Sequence, residues 1–144
     1  MNKRIYLSGP IAGCTDDEAN SWRDVFAGMC SLHAIDTLNP MRRDYRNADR
    51  IALRNEIVEL DKHDIDCSDA LVVYFSKPSV GTAMEVLYAW QQHKPVVTIV
   101  PPDSVTLLSP WLVYHSTTII SAPTHNEMFD STISWISTNV NTKR

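Results

Sequence analysis

A single carboxylate, Glu85, stands in the opening turns of a segment that reads as a helix, just behind Pro78-Ser79-Val80-Gly81 and the apolar run Ala70-Leu71-Val72-Val73-Tyr74-Phe75. An ionised side chain is favoured at such a place, because the aligned peptide dipoles leave partial positive charge at a helix amino end. The same end offers free backbone N–H groups to an anion, and Gly81, lacking a Cβ, permits a tight turn or close approach of backbone to a ligand. The chemistry open to this segment is therefore a reactive carboxylate beside a bound phosphate or carboxylate group. Helical projection sets Glu85 opposite the expected core positions Ala83, Val86, Leu87 and Trp90, a pattern that by itself also describes a solvated helix glutamate.

A second acidic cluster, Glu59-Leu60-Asp61-Lys62-His63-Asp64-Ile65-Asp66, also reads as helical. At about 100° per residue Asp61 projects with Ile51, Val58 and Ile65, while Asp64 turns further away. Asp61 is thus the expected inward carboxylate, either paired structurally or carrying a raised pKa useful for proton transfer. Asp64 and Asp66 read as a solvated helix end, and Asp69 as a turn or capping residue. Tyr6, on an expected first strand, is either a plain core tyrosine or a hydrogen-bond partner for a site carboxylate. The five histidines are dispersed without HxxxH or HExxH spacing, so no metal site is expected, and no other cofactor motif is present. Neither a GxSxG elbow nor a GxxxxGK[ST] loop occurs.

These groups need elements to hold them, and the chain supplies an alternation. Strands are expected at 4–7, 34–38, 70–75, 95–100 and 117–121, and helices at 16–33, 48–66, 82–93 and 126–138, with a polar, flexible tail over 139–144. This rhythm predicts an α/β fold: a flavodoxin- or Rossmann-like, doubly wound five-stranded parallel sheet in a single domain over 1–144. Ligands of a 2-1-3-4-5 sheet bind beyond the carboxyl ends of its first and third strands, so the loops at 8–13 and 76–81 should share one crevice.

The 144 residues, 44% hydrophobic and 21% charged, are ordinary for one globular domain. A net charge of −4 without a Lys/Arg run argues against a duplex nucleic-acid surface and favours a small-molecule partner. Cys14, Cys30 and Cys67 are odd in number, and the start reads directly into a strand, so a cytoplasmic protein with reduced thiols is expected. No apolar run approaches the roughly 20 residues of a membrane span.

Tyr6-Leu7-Ser8-Gly9-Pro10-Ile11, Leu38-Asn39-Pro40-Met41-Arg42, Asp61 eight residues before Asp69, and Pro78-Ser79-Val80-Gly81-Thr82-Ala83-Met84-Glu85 occur in that order. In this ordered combination the chain resembles the nucleoside 2-deoxyribosyltransferase superfamily, and within it most closely the nucleoside 5′-monophosphate N-glycosidases. The likeness runs from Arg4 to about Ile120. It implies that Glu85 attacks the anomeric carbon to form a glycosyl ester, that Asp61 assists protonation of the departing base, and that Tyr6 orients the glutamate. It also implies that the substrate lies against Ser8, Gly9, Pro10, Ile11, Ser79 and Gly81.

Ser79, six residues before Glu85, stands where the transferases resemble one another in carrying an aspartate near the sugar 5′-hydroxyl, and matches the serine of the monophosphate hydrolases. A hydroxyl beside helix N–H groups accepts a 5′-phosphate that a carboxylate would repel. Leu108-Ser109-Pro110-Trp111 is similar to the hydrolase segment that lends a phosphate-contacting serine across a dimer interface, which implies a homodimer or larger assembly with Ser109 completing a neighbour's site. Leu87 departs from the glycine usual after the family's glutamate. The function implied is cleavage of the N-glycosidic bond of a 2′-deoxynucleoside 5′-monophosphate, releasing free base and deoxyribose 5-phosphate. The alternatives are a transferase exchanging bases between deoxynucleosides and a non-catalytic nucleotide sensor using the same crevice.

Overall fold

The computed structural model describes residues 1–142. Five strands form one parallel sheet: β1 (Lys3–Ser8), β2 (Ile35–Leu38), β3 (Ala70–Tyr74), β4 (Val96–Ile99) and β5 (Thr118–Ile120), in the order β2-β1-β3-β4-β5. Between them run α1 (Asp16–Ser31), α2 (Arg54–Asp66), α3 (Val80–Gln91) and α4 (Pro110–His115), α5 (His125–Asn139) follows the last strand, and short 3-10 turns lie at Pro40–Arg42 and Pro102–Leu107. Strand order reverses at β1, whose neighbours are β2 on one side and β3 on the other. The expected architecture and switch point are both present.

The alternation of side chains along β1 decides what reaches the crevice. Ile5 and Leu7 turn to one face and pack with Trp22, Phe26 and Cys30 of α1 and Phe129, Ile133 and Ile136 of α5. Tyr6 turns to the other face, in a second core with Leu71, Val73, Ile65 of α2, Val86 and Ala89 of α3, and Leu112 of α4. Ser8 shares the parity of Tyr6, so its hydroxyl also points toward the α2–α3 side. The central strand β3 is buried along its whole length, as its β-branched run requires when helices cover both faces.

Local chemistry fixes most helix starts. Thr15 and Glu18 form a reciprocal capping box at α1, and Ser79 and Thr124 cap α3 and α5 through their hydroxyl oxygens. Four expectations need correction. The helix expected from 48 begins only at Arg54: Asp49 accepts the Ala52 N–H, and Ile51 is 75% exposed, so its apolar side chain buries nothing that would extend the helix. In α3 the core positions are Thr82, Val86 and Ala89, whereas Ala83 and Trp90 are exposed and Leu87 is half-buried. Helix α4, capped by Ser109 with Pro110 in its first turn, was not expected, although serine followed by proline is a helix-start signal. Val140, inside the expected tail, is buried in the core, while residues 143 and 144 of that tail lie outside the described residues.

Phe26 is fully buried and meets Phe129 edge-to-face at 5.3 Å between ring centres, joining α1 to α5. Phe26→Ala is expected to cost about 3–5 kcal/mol. Urea unfolding followed by circular dichroism checks this: the midpoint should fall while the slope is kept.

Candidate active site

Glu85 sits in the second turn of α3, with its carboxylate turned back over the carboxyl end of β1. Tyr6 Oη donates to Oε2 at 2.5 Å and Ser8 Oγ donates to Oε1 at 2.8 Å. Both carboxylate oxygens are thereby held by hydroxyls two residues apart on one strand, a consequence of the period of two. Glu85 is thus on the sheet side of α3 with Thr82, Val86 and Ala89, and not opposite the core as projection on Ala83 and Trp90 implied.

Burial raises the pKa of Glu85 from an ordinary glutamate value to about 7, with the nearby charge of Asp61 adding to the rise. The hydrogen bonds from Tyr6 and Ser8 and the positive charge of Arg23 oppose it. Tyr6 is itself fully buried, and its phenol is pushed far above the usual range, first by burial and then by the charge of Glu85. It is a donor to the carboxylate at any ordinary pH.

Asp61 lies at the same crevice from the α2 side, partly buried, and its side chain also interacts with the Tyr6 hydroxyl. Burial raises its pKa, against the charge of Arg43, whose Nη2 lies 3.4 Å from Oδ1. The site therefore holds two carboxyl groups, both biased toward retaining a proton, around one tyrosine.

Asp64 overturns its expectation. It is buried, not a solvated helix end, and accepts Arg42 Nη2 on both oxygens at 2.8 and 2.7 Å and Arg43 Nη2 on Oδ2 at 2.7 Å. The physical reason is tertiary: the 3-10 turn after β2 brings both guanidinium groups to that face of α2. Asp66 stays exposed and accepts the Tyr88 hydroxyl at 2.7 Å. Asp69 accepts the Arg4 N–H at 2.8 Å and ties the start of β3 to β1.

The remaining expected residues separate by what they touch. Gly9 is a packing position: a Cβ there would come within 3.0 Å of the Trp22 ring and 3.2 Å of the Tyr74 carbonyl. Pro10 is buried beside it, and the carbonyl of the half-buried Ile11 accepts the Cys14 N–H at 3.1 Å. Ser8 holds Glu85 instead of lining open space. Ser79 accepts the Thr82 N–H at 3.3 Å, which leaves its O–H proton available to a ligand. Gly81 is helical and no turn requires it, and a Cβ there would meet nothing within 4 Å. Ser109 is exposed and caps α4 through the Trp111 N–H at 3.2 Å; among the described residues no hydrogen bond joins it to Glu85.

Sequence reasoning gave no role to Arg23, Arg42 or Arg43. The adjacent arginines after Asn39-Pro40 were the available signal for the last two, since buried acids need partners. Among the described residues no group of three or more His, Cys, Asp or Glu side chains is placed to hold a metal ion, and no helix is long and apolar enough to cross a membrane.

The family model described as Nucleoside 2-deoxyribosyltransferase matches residues 5–131. No curated protein sequence matches the chain significantly. Among solved structures, a conserved protein from Enterococcus faecalis V583 superposes with a TM-score of 0.71 at 16% identity, covering 93% of this chain and 98% of its own. A CMP N-glycosidase from Clostridium botulinum gives 0.65 at 14% identity, with 92% and 99% covered. A 2-deoxyribosyltransferase from Bacillus psychrosaccharolyticus gives 0.67 at 13% identity, with 90% and 95% covered. These likenesses show a shared fold.

Removing Asp64 would leave two guanidinium groups at this face without their shared anion. Asp64→Ala is expected to destabilise the protein by about 3 kcal/mol, the low end for breaking a buried pair because Arg42 is partly exposed. Thermal unfolding of Asp64→Ala beside Asp66→Ala tests this, with the second variant close to the parent.

Proposed function

The chain belongs to the nucleoside 2-deoxyribosyltransferase family, and from that premise we propose that it hydrolyses the N-glycosidic bond of a 2′-deoxynucleoside 5′-monophosphate. The observation that carries the reading is the clamp on Glu85, both of whose oxygens are held by Tyr6 and Ser8 with Asp61 alongside. Two carboxyl groups flanking an anomeric carbon are what a retaining glycosidase needs.

Glu85, ionised, attacks the anomeric carbon as the carbon–nitrogen bond breaks, and Asp61 gives its proton to the departing base. Tyr6 and Ser8 orient the nucleophile. Water then attacks the glycosyl ester, Asp61 takes a proton from it, and Glu85 leaves as a carboxylate. The balance is one nucleotide and one water giving free base and deoxyribose 5-phosphate. The amino end of α3, with the Ser79 hydroxyl and an open approach at Gly81, would hold the 5′-phosphate.

Glu85→Gln should lower turnover by about a thousandfold or more with the fold intact. Incubation with a panel of deoxynucleotides and chromatography of released base measures it; turnover kept within about tenfold of the parent refutes the assignment. Ser79→Ala should weaken use of a monophosphate by roughly ten- to a hundredfold, the worth of a charge-assisted hydrogen bond. Should the parent prefer an unphosphorylated deoxynucleoside and form a new one when a second base is added, the transferase reading replaces this one.

The active form carries one proton on the Glu85–Asp61 pair, so kcat/KM should be bell-shaped in pH. Its alkaline limb should fall near 7, where the pair gives up its last proton. Activity is lost as pH rises through that value because Asp61 can then no longer be the protonated partner.

A second copy of the chain is the proposed partner. Trp111 and Tyr114 on α4 are 72% and 71% exposed beside Trp90 of α3, an apolar surface suited to an interface that would carry Ser109. Sedimentation at assay concentration should show a dimer or larger assembly, and a fully active monomer would remove Ser109 from any shared site.

A further inference from the structure

Arg23, on α1, is wholly buried. Its Nη1 donates to the Ala19 carbonyl at 2.6 Å and its Nη2 to the Gly9 carbonyl at 3.0 Å, while the guanidinium lies 4.7 Å from the centre of the Trp22 ring. Among the described residues Nε has no hydrogen-bond partner, and no carboxylate forms an ion pair with the guanidinium. A buried cation bonded only to neutral carbonyls is costly to keep unless its charge is used, and a leucine or methionine would fill the same volume without that cost.

The place of the charge says what uses it. Gly9, which accepts Nη2, directly follows Ser8, whose hydroxyl holds Glu85 Oε1. The close packing at Gly9, where no side chain fits between Trp22 and the Tyr74 carbonyl, is what lets the guanidinium come up behind this peptide. We infer that Arg23 is a positioning residue of the site, a buried cation behind the Ser8-Gly9 peptide whose charge directs the proton shared by the two carboxyl groups away from Glu85 and onto Asp61.

The groups that face Glu85 are Tyr6 and Ser8 from β1, Asp61 from α2 and Arg23 from α1. Those that act on Arg23 are Glu85 first, then Tyr6, Cys14 in the loop after β1, and Asp61; burial pushes its own pKa down to about 10, still charged at neutral pH. Arg43 works in the opposite sense, since it contacts Asp61 and favours that group's ionised form. Each carboxyl group thus has its own arginine, and the two compete for the position of one proton. In its catalytic consequence this inference rests on the glycosidase reading, in which only the form with Glu85 ionised and Asp61 protonated reacts.

Carboxyl carbon NMR of the full chain labelled with 13C-glutamate, with Glu85 assigned through Glu85→Gln, reads the effect without any substrate. In Arg23→Met and Arg23→Gln the Glu85 titration should move up by about one pH unit or more, and in Arg23→Lys it should stay close to the parent. The largest kcat/KM on the nucleotide panel should fall about tenfold for each such unit and its alkaline limb should move upward in step. A Glu85 titration unmoved in a folded neutral variant overturns the inference. So does failure of both neutral variants to fold, which would make Arg23 a residue of the scaffold alone. A parent protein that releases no base from any nucleotide refutes the glycosidase reading, while the titration still decides the role of Arg23.

Discussion

The burial of one carboxylate against the end of β1 is the constraint around which this molecule is arranged. A glutamate taken out of water either takes up a proton or is met by donors and positive charge, because the low-dielectric interior penalises an uncompensated anion. Here Tyr6 and Ser8 meet it with hydroxyls, and Arg23 meets it with a charge from behind. The result is a group whose pKa is about 7, poised between its two forms instead of being locked in either.

Much of the surrounding packing reads as support for that arrangement. Tyr6 can reach Glu85 only because it is held on the α2–α3 face of β1 by Leu71, Val73 and Val86, and Ser8 follows at the same parity. On the opposite face Trp22 stacks on Tyr74 at 4.9 Å between ring centres and carries the adjacent Arg23 in under Gly9. The two cores separated by the sheet thus serve one end of one strand from both sides. Asp64 has a comparable role for the other carboxyl group: by gripping Arg42 and Arg43 it sets the positive charge that bears on Asp61.

The same logic explains why the partners of three arginines cannot be read along the chain, even where adjacency marks two of them. Arg42 and Arg43 meet Asp64 across 22 and 21 positions, and Arg23 meets the Gly9 carbonyl across 14. None of these spacings is a helix or strand period, so no local pattern encodes them. An isolated arginine within a helix of mixed composition looks the same whether it ends in solvent or beneath a crevice.

What the sequence determined by itself is the five strands, the four longer helices that cover them, and the neighbourhood of the site. Continuous β-branched runs specify buried parallel strands, the 3.6 period specifies covering helices, and their alternation leaves one reversal of strand order, at which Tyr6, Asp61 and Glu85 gather. Those are properties of short windows and of chain topology, and they survive without knowledge of contacts. Tertiary structure alone decided which side of α3 faces the sheet, where Ala83 and Trp90 are exposed and Thr82 and Ala89 are buried. It decided that Asp64 is buried and paired, and that Arg23 is enclosed with no ion-pair partner among the described residues. The reason is that burial of a charge depends on the total of partners and excluded water around it, and those partners come from segments distant in sequence that meet only once the sheet has formed.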